Sequence, residues 1–323
     1  MNQVFKKLSF ALSLALLAIF STITIYAEDS VTYEVKKTVI KKTKDGLKTN
    51  LNVWYPAKEE STPVFVFLSG LNGIAPSSAY SMLFTELASK GITVVVPSGS
   101  LLLPNMIHKR ATEFKAALTW MKSNFGTKME ELGNGADMEK LIIASHSSGS
   151  QPAILVYKEM YEEISALFFL DPVDGDPFEM GEKVIAPNEV FDYGTPVFIL
   201  AAGLGGKPGF NIKYYPSCAP ENISRMHYYN AFSSPKWYIN ASEYGHVDML
   251  NTLYAGGVKL SHFCSGADKN LDKNIYRTFI ADSIQSFVEG AVEGKCDKLK
   301  NIENQDLMAI DTELLSDGYC NRN

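Results

Sequence analysis

A serine hydroxyl attacks a carbonyl efficiently only when a histidine takes its proton, and that histidine needs a carboxylate to fix its tautomer. The serine with the right surroundings is Ser147, in the stretch LIIASHSSGS at residues 141–150. Residues 141–144 read as a short buried strand, and Ser145-His146-Ser147-Ser148-Gly149 sets small residues around a central serine before a helical pattern begins near Gln151. This is the pattern of a nucleophile elbow, where the residues two before and two after the serine are nearly free of side chain so that backbones can pass closely. Gly149 meets that condition, and Ser145 meets it less well than a glycine. Taken alone, the pentapeptide also fits a polar turn or a helix N-cap, so its partners must decide.

The chain order expected of such a site is serine, acid, histidine. Of five histidines, His108 falls on a helical pattern, His146 lies inside the elbow, and His227, His246 and His262 come later. His246 is the candidate base, because it sits in a glycine-containing loop directly after the last predicted parallel strand. The acid follows by exclusion. The loop after the strand at residues 196–201 holds no carboxylate through Gly206, which leaves Asp171 and Asp174 after the strand at residues 166–170. Asp171 is favoured because it follows the apolar strand immediately, although Asp-Pro also starts turns. Asp248, two residues from His246, reads as a brace for the histidine loop. Developing oxyanion charge needs backbone N–H donors, expected from Ser148 and from Leu71, with Asn72 as the alternative. No Cys or His spacing suggests a metal, so neither metal nor organic cofactor is expected.

These side chains can meet only if strand ends bring them to one rim. Residues 31–57 alternate apolar and polar around Asp45-Gly46, as in an antiparallel edge hairpin. Residues 64–68 are an unbroken apolar run, and Tyr80, Leu83, Phe84, Leu87 and Ala88 then recur at helical spacing up to Gly91, ahead of a strand at 92–96. A second helix carries Ile107, Ala111, Phe114, Ala117, Leu118 and Met121 on one face, and a third follows the elbow with Ile154, Leu155 and Met160 inward. Strands at 166–170, 196–201 and 236–240 and a closing helix at 275–292 complete the pattern. Such alternation implies an α/β fold: a mostly parallel central sheet flanked by helices on both faces, with ligands bound beyond the carboxyl ends of its strands.

Several stretches go further than the elbow: Leu170-Asp171-Pro172-Val173-Asp174-Gly175, Gly203-Leu204-Gly205, Cys218-Ala219-Pro220 and Tyr244-Gly245-His246-Val247-Asp248-Met249-Leu250. On these residues the chain resembles the plant and algal chlorophyllases, a branch of the α/β-hydrolases, over residues 63–292. The resemblance implies an α/β-hydrolase fold and puts Ser147, Asp171 and His246 at the family's triad positions. The family's usual Gly-His-Ser-Arg-Gly-Gly elbow has Ser145, Ser148 and Ser150 here in place of the first glycine, the arginine and the last glycine, and its His-Gly at the oxyanion strand end becomes Ser69-Gly70. The resemblance therefore implies a serine carboxylic-ester hydrolase that cleaves an ester of a long apolar alcohol. A broad carboxylesterase or lipase-like hydrolase, acting on polyester or phospholipid acyl esters, is the alternative enzyme. A catalytically silent binding module is the alternative of another class.

With 323 residues, 46% of them hydrophobic, the chain can bury a large core. A net charge of −6 supplies no basic field for nucleic acid, and a small-molecule or lipid-like ester is the expected partner, with no stable protein partner implied. Lys6 and Lys7, the apolar run at 8–26 and the small-residue site at Ala27 read as a signal peptide over residues 1–27, which implies a secreted, periplasmic or lumenal protein; an uncleaved anchor is the alternative. The hydrolase domain is expected at 28–295 and a polar C-terminal tail at 296–323. Four cysteines, Cys218, Cys264, Cys296 and Cys320, suit an oxidising compartment and allow three pairings, of which Cys218–Cys264 and Cys296–Cys320 are local. Asn222 and Asn240 head glycosylation sequons that matter only in a eukaryotic host.

Overall fold

Side chains of a strand point alternately to the two faces of its sheet, and here both faces are apolar, so each central strand feeds two cores at once. In β3 (Ser61–Leu68), Phe65 and Phe67 enter one core while Val64, Val66 and Leu68 enter the other. In β6 (Ala166–Leu170), Phe168 and Leu170 separate from Leu167 and Phe169 in the same way. The first core is closed by helices α1 (Ser81–Ser89) and α4 (Lys273–Phe287), the second by α2 (Ile107–Glu130) and α3 (Ser150–Met160). The computed structural model describes residues 32–320 except 45, 74, 99–106, 177, 179–180, 210–215 and 256–263. The signal peptide expected at 1–27, Asp45 and His262 therefore lie outside the described residues.

Nine strands form one sheet among the described residues, in the order β1-β2-β4-β3-β5-β6-β7-β8-β9. The remaining strands are β1 (Val35–Ile40), β2 (Leu51–Pro56), β4 (Thr93–Pro97), β5 (Gly135–His146), β7 (Val197–Ala202), β8 (Lys236–Ala241) and β9 (Thr312–Asp317). The six strands from β4 to β8 run parallel, and the expected antiparallel edge hairpin β1–β2 joins them through β2, which is antiparallel to β4.

Three elements differ from the sequence reading. Strand β5 starts at Gly135 rather than Leu141, because Gly135, Ala136 and Asp137 pair with residues 61–63 before the register shifts beside Pro63, which has no N–H to donate. The closing helix starts at Lys273, where the Asp272 carboxylate caps it by accepting from the Asn274 N–H at 2.8 Å, and the α-helix ends at Phe287 in a π turn, Val288–Val292. Residues 296–320 are not a loose polar tail. They contribute β9, antiparallel to β8, and Leu299 and Ile302 pack into the first core. Both local disulfides, Cys218–Cys264 and Cys296–Cys320, are formed. Asn240 lies inside β8, buried, donating to Glu313 at 2.9 Å and accepting from Arg225, so this sequon offers no site for a glycan. Among the described residues no helix is long and apolar enough to cross a membrane.

Candidate active site

The elbow is built as its residue types demand. Ser147 follows the last residue of β5 and takes φ +55°, which lifts it out of the strand direction into the turn that leads to α3. A β-carbon on Gly149 would stand 2.5 Å from the carbonyl oxygens of Leu68 and Ser69, so only glycine lets β3 pass here. Ser145, in the position where a glycine was preferred, is fully buried, and its hydroxyl lies 2.8 Å from that of Ser150. The two serines answer each other, which is how the elbow carries both without leaving a lone buried hydroxyl.

Four non-glycine residues have positive φ among the described residues: Leu71 (+54°), Ser147 (+55°), Asp171 (+40°) and Asn188 (+62°). The first three are residues that the sequence singled out for chemistry, each just beyond the end of a parallel strand. Such conformations cost about 1–3 kcal/mol each and persist where the surroundings over-determine them. Leu71 begins inside a one-turn helix, Gly70–Gly73, which packs against the elbow, and Val173 N–H donates to the Ser147 carbonyl at 3.2 Å.

Three sequence candidates come into line. The hydroxyl of half-buried Ser147 lies 2.8 Å from His246 Nε2, and His246 Nδ1 lies 2.6 Å from an Asp171 carboxylate oxygen. Asp171 is 1% exposed, and its other oxygen accepts from the Ala202 N–H at 3.1 Å. Gly205 packs so closely on the first oxygen that any β-carbon would displace it. With the carboxylate ionised, Nδ1–H donates to Asp171 and Nε2 is left to accept from Ser147, the tautomer a general base requires.

Asp174 does something else. Buried completely, it accepts from the Val184 and Ile185 N–H groups at 2.7 and 3.0 Å and sits 3.0 Å from His227 Nε2, so it pins the chain that follows β6. Asp248 braces the histidine loop as expected: its Oδ2 accepts from the Gly245 and Ala267 N–H groups at 2.8 and 2.6 Å, and Lys273 Nζ pairs with its other oxygen at 2.7 Å. His108 is exposed beside Glu182, far from this use. The Cys218–Cys264 bridge joins the chain after β7 to the segment that Asp248 holds, and no group of three or more His, Cys, Asp or Glu suited to a metal occurs among the described residues.

Sequence reasoning missed two residues. Tyr80 reads as an ordinary core position of a helix, yet its hydroxyl stands 2.7 Å from His146 Nδ1, across 66 residues, and accepts from the Gly70 N–H at 3.0 Å. His146 Nε2 in turn lies 2.9 Å from the His246 carbonyl oxygen. Burial, and the neighbouring His246, hold the His146 pKa well below the usual 6.5, and burial raises that of Tyr80. Only the presence of a second histidine beside Ser147 hinted at this from sequence.

A sheet in this order, with an elbow after β5, a carboxylate after β6 and a histidine after β8, defines an α/β-hydrolase. The sequence of the chlorophyllase family matches residues 21–314, and the chain belongs to that family. It is similar to chlorophyllase-2 of Arabidopsis thaliana, with 24% identity over 77% of this chain and 79% of that protein. Chlorophyllase-1 of the same plant is 25% identical over 74% of this chain and 75% of its own length. Chlorophyllase type 0 of Chenopodium album is 28% identical over 58% and 56%. Membership makes the chain a carboxylic-ester hydrolase.

Proposed function

We propose that the protein cleaves its ester through an acyl-enzyme on Ser147, with His246 as general base and Asp171 as the residue that orients and steadies it. The observation that carries this reading is the unbroken line from Ser147 through His246 to buried Asp171. His246 Nε2 takes the hydroxyl proton as Ser147 Oγ bonds to the ester carbonyl carbon, and the carbonyl oxygen becomes an oxyanion facing the N–H groups of Leu71 and Ser148. The oxyanion re-forms the carbonyl, the alcohol leaves with the proton that His246 returns, and the acyl group stays on Ser147. Water, deprotonated by the same nitrogen, then repeats the attack and frees the acid and the serine.

The substrate proposed is an ester of a long apolar alcohol, in keeping with relatives named chlorophyllases. Exposed apolar side chains in the segments that follow β3, β6 and β8, Leu71, Phe178 and Leu253, support it, since these segments leave the carboxyl ends of parallel strands, as the Ser147 turn does. A broader carboxylesterase is the second reading, favoured by the serines at 69, 145, 148 and 150 where the chlorophyllase pattern differs. The paired cysteines support export to an oxidising compartment.

The test follows hydrolysis of p-nitrophenyl butyrate and of chlorophyll by wild type and Ser147→Ala. Loss of both activities in the variant is expected. Cleavage of the small ester alone would keep the mechanism and discard the apolar-alcohol substrate; full activity in Ser147→Ala would discard the mechanism.

A further inference from the structure

His246 touches the structure through more than its ring. Its backbone carbonyl lies 2.9 Å from His146 Nε2, His146 Nδ1 lies 2.7 Å from the Tyr80 hydroxyl, and that hydroxyl lies 3.0 Å from the Gly70 nitrogen. Both ends of this chain are backbone groups of fixed polarity, which settles every proton between them. Gly70 N–H can only donate, so the Tyr80 oxygen accepts from it and gives its single proton to His146 Nδ1. The His246 carbonyl can only accept, so His146 carries its proton on Nε2. A second proton on Nδ1 would face the Tyr80 oxygen and deprive the phenol of its acceptor. His146 is thus neutral in the folded protein, which agrees with its lowered pKa.

The chain crosses the three loops that any reaction here depends on. Gly70 precedes Leu71 in the oxyanion turn, His146 precedes Ser147 in the elbow, and the carbonyl belongs to the base itself. All of it is buried: Tyr80 is 0% exposed, His146 3% and His246 5%. The Tyr80 ring is itself held by Phe67 and Phe84, and the His146 ring lies beside that of His246, with centroids 4.6 Å apart.

We propose that Tyr80 and His146 are positioning residues that hold the oxyanion turn, the elbow and the His246 loop in one register, by a single polarised chain of hydrogen bonds from Gly70 to the His246 carbonyl. This rests on the assignment of Ser147 and His246 made above. Neutral His146 also keeps a second positive charge away from His246 when the latter accepts the serine proton.

The full chain is assayed as wild type, Ser147→Ala, Tyr80→Phe, His146→Leu, His146→Gln and the Tyr80→Phe/His146→Leu double variant, with kcat and KM for p-nitrophenyl butyrate and the thermal midpoint. Tyr80→Phe keeps the ring packing and removes one oxygen; it should lower kcat about 10- to 100-fold and leave KM within about threefold. His146→Leu should do the same, and the double variant should be no more than about threefold worse than the worse single, because either change breaks one chain. His146→Gln retains an N–H for the His246 carbonyl and should recover about tenfold over His146→Leu. Unchanged kcat in folded Tyr80→Phe, losses that multiply in the double variant, or no recovery with glutamine would overturn the proposal. Ser147→Ala separates the two readings: if it retains activity, the serine assignment falls and the positioning role with it, whereas an inactive Ser147→Ala beside a fully active Tyr80→Phe removes only the positioning role.

Discussion

Asp171 and Asp174 stand three residues apart in one loop, and both are buried. Only Asp171 reaches His246; Asp174 spends its oxygens on Val184, Ile185 and His227. Asp171→Asn should therefore lower kcat by about 10⁴-fold in a folded enzyme, since an amide can hold the wrong histidine tautomer in place. Asp174→Asn should cost about 1–3 kcal/mol in stability, read by urea unfolding, and change kcat by less than about threefold. The choice between them was legible in part: adjacency to an apolar strand favoured Asp171, but which carboxylate the histidine reaches depends on a positive φ that no residue type announces. His146 leaves a pH signature. Its folded pKa is depressed, so below about pH 6.5 the unfolded chain binds a proton that the native one does not, and stability falls as pH falls. The slope from this one group is at most about 1.4 kcal/mol per pH unit. His146→Gln should flatten the acid side of the stability curve by that amount, measured by denaturant unfolding between pH 7 and pH 5; an unchanged slope would mean that His146 is not held neutral.

The elbow is the element on which the others converge, and its tightness is set from outside, by the β3 backbone lying against Gly149. Gly149→Ala should force that strand and the turn apart, at a cost of about 1–3 kcal/mol, with a fall in kcat that Tm alone does not explain. The central strands were legible because both faces of each are buried, which makes unbroken apolar runs such as residues 64–68 and 166–170. The first half of β5 and the whole of β9 were not. Residues 135–140 mix Gly, Ala and Met with three charged residues and none is fully buried, and β9 shows one buried residue in six, so neither carries a period that could mark it as a strand. Their pairing is dictated by neighbours distant in sequence. The Tyr80–His146 contact was hidden for the same reason, since helix periodicity accounts for Tyr80 fully before its hydroxyl is considered.

Across the whole molecule, two disulfides fasten different things. Cys218–Cys264 closes 46 residues around the histidine loop, and Cys296–Cys320 closes 24 around the segment that carries β9. Loop-closure entropy alone gives upper figures of about 4 and about 3.5 kcal/mol for the two. Replacing Cys218 and Cys264 by serine should lower both Tm and kcat, because Ala267 no longer presents its N–H firmly to Asp248. Replacing Cys296 and Cys320 should lower Tm while kcat at 20–25 °C stays within about twofold, as no site residue depends on that bridge. The reverse pattern would show that the C-terminal segment, not the histidine loop, governs the site. Both pairings were legible as the local choices among four cysteines, whereas the part the second bridge plays in the sheet was not, because residues 296–320 look polar and their strand is an edge.

The central claim is that Ser147 is the nucleophile. Intact-mass and peptide mapping after reaction with a fluorophosphonate test it most directly, because the probe phosphonylates only a serine activated by a base. One adduct per chain on Ser147, absent in Ser147→Ala, is the predicted result. A folded wild-type protein that stays unmodified, or an adduct on another serine, would contradict the account.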